Sequence, residues 1–133
     1  MDFIHASRIK EDELSSFLTN NQQIDRLSLL HHGYVVKNGN TIIGCFQLVS
    51  IDQGIYWLKQ LYIVQDEAIK LPVLLELIII FAKQQDAKLI YAHSEQPVTD
   101  LLLQSLSFSL QTNKIEALHE LHEKGQWWSY HVS

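Results

Sequence analysis

The side chains best placed to do chemistry lie in VQDEAIKLP, residues 64 to 72, where a strand-like run, QLYIV, gives way to an apolar one, LPVLLELIIIFA. A strand that turns into a helix is a natural place to bind phosphate. The first amides of a helix lack internal partners, and its dipole is positive there. Lys70 adds a cation on a flexible stem. The neighbouring residues oppose that chemistry. There is no glycine to let backbone amides converge on an anion or let it approach closely. Asp66 and Glu67 place negative charge where the anion would sit, and Pro72, read as the first helical residue, removes one amide.

Other clusters are weaker. In IEALHELHEKG, a helix would set His119, His122 and Glu123 on one face, a spacing able to hold a metal, with Glu116 and Glu120 nearby. The order is not the His-Glu-x-x-His zinc pattern, so a solvated surface segment is the preferred reading and no metal is expected. His31 and His32 close a predicted helix, where they suit the negative end of its dipole. Cys45, the only cysteine, sits in TIIGCFQLV and reads as a buried strand thiol, with no disulfide or thiolate cluster to join. Trp127 and Trp128 point to opposite sides of a closing strand; one belongs to the core, the other covers a pocket, a helix or a partner chain.

The elements that position these residues follow from periodicity. FIHA reads as a short strand, and Ile9, Leu14, Phe17 and Leu18 mark one helix. Ile24, Leu27 and Leu30 mark a second, starting near Asn21 and stopping at Gly33. YVVK and TIIGCFQLV flank Asn38-Gly39, a strong hairpin signal, and IYWLKQLYIV follows a second turn to complete an antiparallel meander. A buried helix from Pro72 to Gln85, a strand KLIYAHS (Lys88–Ser94), a helix PVTDLLLQSL and a strand QWWSYHV complete the chain. The strands on either side of the long helix are expected to be parallel neighbours. The fold class is therefore α/β (α+β): a mixed sheet, meander first and parallel strand-helix-strand second, with helices on both faces.

With 133 residues, 47% hydrophobic and 19% charged, the chain is read as one globular domain spanning 1–133. Its net charge of −5 argues against nucleic acid or anionic membrane as partner. The longest apolar run, twelve residues interrupted by Glu76, is too short to cross a bilayer, and the acidic start lacks a signal-peptide layout. A cytoplasmic location is expected.

From Gly33 onward the order of elements resembles the GNAT N-acetyltransferase superfamily. Leu61-Tyr62-Ile63 matches the strand that precedes that family's Q/R-x-x-G-x-G/A loop. Leu74-Leu75 matches the start of the following helix, and Ser107-Phe108 stands where a Gly-Phe pair is usual. In the loop itself, Gln65, Ala68 and Lys70 fall on the motif positions and only Gln65 conforms. The resemblance implies a cofactor, acetyl-CoA or CoA. The backbone of Tyr62, Ile63 and Val64 would bind its pantetheine arm, and Ala68 and Lys70 would lie at its pyrophosphate. It also implies an amine acceptor.

The catalytic positions carried over from the family are not filled. A tyrosine that would protonate the thiolate falls on Leu103, and a turn asparagine falls on Gln96. No carboxylate stands in IYWLKQLYIV; Asp52, His93 and Glu95 are the nearest alternatives as a base, and no catalytic residue is assigned. Two functions remain open: an acyl-CoA-dependent N-acyltransferase with a degenerate loop, or a non-catalytic ligand-sensing or protein-interaction module of the same fold. Either admits a homodimer.

Overall fold

A computed structural model describes residues 1–111 and 124–132. Seven strands and four helices are seen among them: β1 (Asp2–His5), α1 (Glu11–Thr19), α2 (Arg26–His32), β2 (Gly33–Asn38), β3 (Thr41–Asp52), β4 (Ile55–Ile63), α3 (Leu71–Gln84), β5 (Leu89–Ser94), α4 (Pro97–Ser105), β6 (Ser109–Leu110) and β7 (Gln126–His131). The strands form one mixed sheet in the order β1-β2-β3-β4-β5-β7-β6. As the strand-helix-strand spacing requires, β4 stands next to β5. The chain divides into two compact units, Met1–Val49 with Leu58–Leu74, and Ser50–Trp57 with Leu75–Ser133.

In the first unit, β1 pairs antiparallel with β2, and β2 with β3. The β2–β3 hairpin turns one residue later than Asn38-Gly39: Asn38 pairs with Thr41, Gly39 and Asn40 form the two-residue loop, and Gly39 takes a φ of 64° at little cost. Helix α1 opens with Glu11, Asp12 and Glu13, whose charges suit the positive end of its dipole. Helix α2 begins at Arg26 rather than near Asn21, because the Asp25 carboxylate caps it by accepting from the Ser28 amide at 3.3 Å. Leu14, Phe17, Leu18, Ile24 and Leu29 from this helical region close over Val35 and Cys45 of the sheet, with Ile4, Ile42, Tyr62 and Val64 packed against them.

In the second unit, β7 lies between β5 and β6 and runs antiparallel to both. Sequence alternation gave one tryptophan to the core and the other to a pocket, a helix or a partner chain; both are buried, Trp127 at 2% exposure and Trp128 at 6%. Trp127 packs on Trp57 and His93, with ring centroids 5.6 and 4.8 Å away, while the Trp128 indole N–H donates to Asp100 of α4 at 2.8 Å. A helix therefore covers the second ring. The group His119, His122 and Glu123 lies outside the described residues, and among the described ones no three side chains are placed to hold a metal. No helix among them is long and apolar enough to cross a membrane.

Burial pushes the Cys45 thiol from 9.0 up to about 12. The folded state thus resists a proton loss that the unfolded chain undergoes freely. That contribution to stability is complete below pH 9 and is lost as pH rises toward 12. A thiol-disulfide reagent at pH 8 is expected to leave the native protein unmodified and to label one cysteine per chain in denaturant. Rapid labelling of native protein would show that Cys45 is accessible.

Candidate functional site

The residues that sequence reasoning singled out form one continuous stretch of the first unit: Tyr62 and Ile63 end β4, Val64 follows, and Gln65–Lys70 form a 3-10 turn leading into α3. The Val64 amide donates to the Ile43 carbonyl of β3 at 2.8 Å. Because successive residues of a strand alternate direction, the amide of Ile63 is turned to the opposite edge. The Tyr62 and Val64 side chains pack into the core beneath α1 and α2. The Tyr62 hydroxyl donates to Asn21, whose own side-chain amide donates to the Phe17 carbonyl at 2.7 Å.

Strand β4 does not reach this point as a regular strand. Gln60, within it, has a φ of 51°. A β-carbon at Gly44 of β3 would fall on the Tyr62 carbonyl oxygen, inside van der Waals contact, and 3.2 Å from the Ile63 α-carbon. Glycine at 44 is what lets β4 lean this closely. Its own backbone is ordinary extended strand, so close approach rather than conformational freedom explains it.

The connection that follows is already hydrogen-bonded to itself. The Glu67 amide donates to the Val64 carbonyl at 2.9 Å and the Leu71 amide to the Ala68 carbonyl. A 3-10 turn running directly into an α-helix uses amides that a glycine loop would aim at a ligand. The helix starts at Leu71, so Pro72 is its second residue rather than its first; it still removes a first-turn amide. Lys70 is not a lone cation: its ammonium sits 2.6 Å from the Glu67 carboxylate, one 3-10 turn earlier. Asp66 and Ala68 face solvent, and so does Ile69, 88% exposed.

The positions matched to catalytic roles are occupied by structure. Leu103 is a core residue of α4, 3% exposed. Gln96 precedes α4 and makes no side-chain cap to it. Of the alternative bases, Asp52 accepts from the Gln53 amide in its own turn at 2.7 Å. The His93 ring Nε2 lies 2.6 Å from the Lys124 carbonyl, so it carries the proton and donates it. Glu95 is exposed.

Sequence reading missed a set of polar residues behind β4: Asn21, Ser28, Gln47 and Gln60. The Ser28 hydroxyl donates to the Gln47 side-chain oxygen at 2.7 Å, and the Gln47 amide donates to the side-chain oxygen of Gln60. The available signal was Gln47 itself, a lone carboxamide in the apolar run TIIGCFQLV.

Replacing Gly44 with alanine is expected to cost about 1–3 kcal/mol in urea unfolding, the range for overpacking, because a backbone carbonyl cannot move aside as a side-chain tip can. The amide resonances of Tyr62, Ile63 and Val64 should shift with it. An unchanged midpoint and unchanged resonances would refute the close approach.

No protein-family model matches the sequence, and no curated protein matches it. Solved structures do. A GNAT-family acetyltransferase from Staphylococcus aureus Mu50 aligns over 99% of both chains at 16% identity, with a TM-score of 0.68. A Bacillus subtilis acetyltransferase solved with CoA aligns over 95% of both chains at 14% identity, with a TM-score of 0.71. The Neisseria gonorrhoeae N-acetylglutamate synthase, solved with coenzyme A and N-acetyl-glutamate, aligns at 13% identity and a TM-score of 0.74; it covers 99% of this chain, which spans 35% of that one. At these identities the likeness is one of fold, and it runs through nearly every residue: the chain has the fold of the GNAT acetyltransferases.

Proposed function

We propose that this protein is a GNAT-fold N-acyltransferase that takes its acyl donor by the pantetheine arm and has little grip on the nucleotide half of CoA. The arm would lie along the backbone of Tyr62, Ile63 and Val64, and an amine would be the acceptor. One observation carries this reading: the strand is kept and distorted toward a specific conformation, while the connection after it is hydrogen-bonded to itself, with Lys70 held by Glu67 at 2.6 Å. Backbone contacts to a pantetheine tolerate drift of side chains; contacts to pyrophosphate need converging amides and unspent positive charge. Reaction would then depend on holding a neutral amine against the thioester carbonyl: the C–N bond forms as the C–S bond breaks, and the proton shed by nitrogen passes by way of solvent to the departing thiolate, with proximity supplying much of the rate.

A second reading is favoured by the same ion pair and by Leu103 in the core. In it the protein is a non-catalytic module that senses a ligand or binds a partner, alone or as a homodimer.

Calorimetric titration with acetyl-CoA and with acetyl-pantetheine separates the two. The first reading expects both to bind, with dissociation constants within about threefold of each other. A working pyrophosphate grip would separate them by about a hundredfold or more, since hydrogen bonds to charged groups are worth about 1.5–3 kcal/mol each. Glu67→Gln should release Lys70 and tighten acetyl-CoA by about threefold, a surface-pair effect, while leaving acetyl-pantetheine unchanged. Binding of neither ligand at millimolar concentration would reject the first reading in favour of the second.

A further inference from the structure

Gln47 is a fully buried carboxamide in the apolar interior of β3, at 0% exposure. Both ends of its amide are used. Its oxygen accepts from Ser28 of α2 at 2.7 Å, and its nitrogen donates to Gln60 of β4. Ser28 is anchored in turn by the cap of its own helix, through its amide and the Asp25 carboxylate at 3.3 Å. A hydrophobic residue at 47 would fill the same space without needing partners, and burying an unpaired amide costs about 1–3 kcal/mol. What the carboxamide is aimed at explains its presence.

Three non-glycine residues among those described have a positive φ: Gln60, Asp86 and Ser107. Asp86 and Ser107 each come just after a helix, where a left-handed residue is the ordinary way to stop. Only Gln60 has this conformation inside a strand, where it costs about 1–3 kcal/mol and persists only if its surroundings impose it. The Gln47 amide is the group that holds its side chain. On the far side of Leu61, Asn21 holds the Tyr62 hydroxyl. The distorted stretch is thus tied from both sides, by a side chain in α2 through Gln47 and by a side chain just after α1.

We infer that Gln47 is a positioning residue: anchored by Ser28, it holds Gln60 in its left-handed conformation, and so sets the direction in which the backbone of Leu61, Tyr62 and Ile63 meets an acyl-pantetheine. This rests on the donor-binding reading above. Gln47 does not itself touch the donor; it acts through Gln60.

Glycine at position 60 adopts a φ of 51° without support, which gives the test. Gln47→Leu is expected to weaken acetyl-pantetheine binding about tenfold or more, as misplacement of a supporting group does. Adding Gln60→Gly should restore affinity to within about threefold of the parent, even though Gln47 is still absent. A purely structural Gln47 would lower stability and leave affinity where it was, and the second substitution would rescue nothing; either result overturns the inference. If Gln47→Leu does not fold, Ser28→Ala breaks the same chain one link earlier and is read in the same way. Should the parent protein bind no acetyl-pantetheine, the donor reading fails on its own. The inference is then judged by the amide resonances of Ile63 and Val64, which Gln47→Leu must displace and Gln60→Gly must return.

Discussion

Gln60 sits inside β4 with a φ of 51°, a conformation that costs a side-chain-bearing residue about 1–3 kcal/mol and that nothing in its own sequence favours. The rest of the candidate site depends on that cost being met. The hydrogen-bonded run from Ser28 through Gln47 holds the residue in place. Asn21 fixes Tyr62 two positions on, and Gly44 leaves room for the Tyr62 carbonyl. Each device is modest alone. Together they tie the last residues of β4 into a non-standard ledge rather than a continuing strand.

Against this ledge stands a connection arranged for a different end. Asp66 and Glu67 favour the start of a helical turn, for the same electrostatic reason that they disfavour a bound anion. The 3-10 geometry then brings residues three apart together, and Lys70 pairs with Glu67. A lysine that reads as a phosphate ligand in the sequence is, in the folded chain, partnered by its own turn. The strand and the loop therefore carry opposite signals: one is built with evident care for position, the other withholds the charge and the amides that a pyrophosphate needs.

Much of the fold was legible because it rests on local rules. Asn38-Gly39 dictates a hairpin, and the apolar stretch after Pro72 dictates a buried helix. The spacing of the strands on either side of that helix places them side by side in the sheet. What escaped notice was set by tertiary partners. Alternation set Trp127 and Trp128 on opposite sides of the strand without saying which is covered by what, and Asp100 of α4 meets the Trp128 indole. The connection after Val64 read as an irregular loop because 3-10 turns lack a distinctive residue signature. A left-handed Gln60 is invisible in sequence because glycine or asparagine would be expected there, and glutamine holds the position only through a neighbour thirteen residues away. The lone Gln47 in an apolar strand was the one visible trace of that arrangement.

On the proposed reading, β4 receives the donor and the 3-10 turn does not. Amide-resolved NMR during titration with CoA tests this most directly. The Ile63 amide is expected to move on saturation, and to move equally with pantetheine alone. The amides of Glu67 and Leu71 should stay in place, held by their bonds to the Val64 and Ala68 carbonyls. A CoA-dependent shift of those turn amides, absent with pantetheine, would contradict it and restore the pyrophosphate to the start of α3.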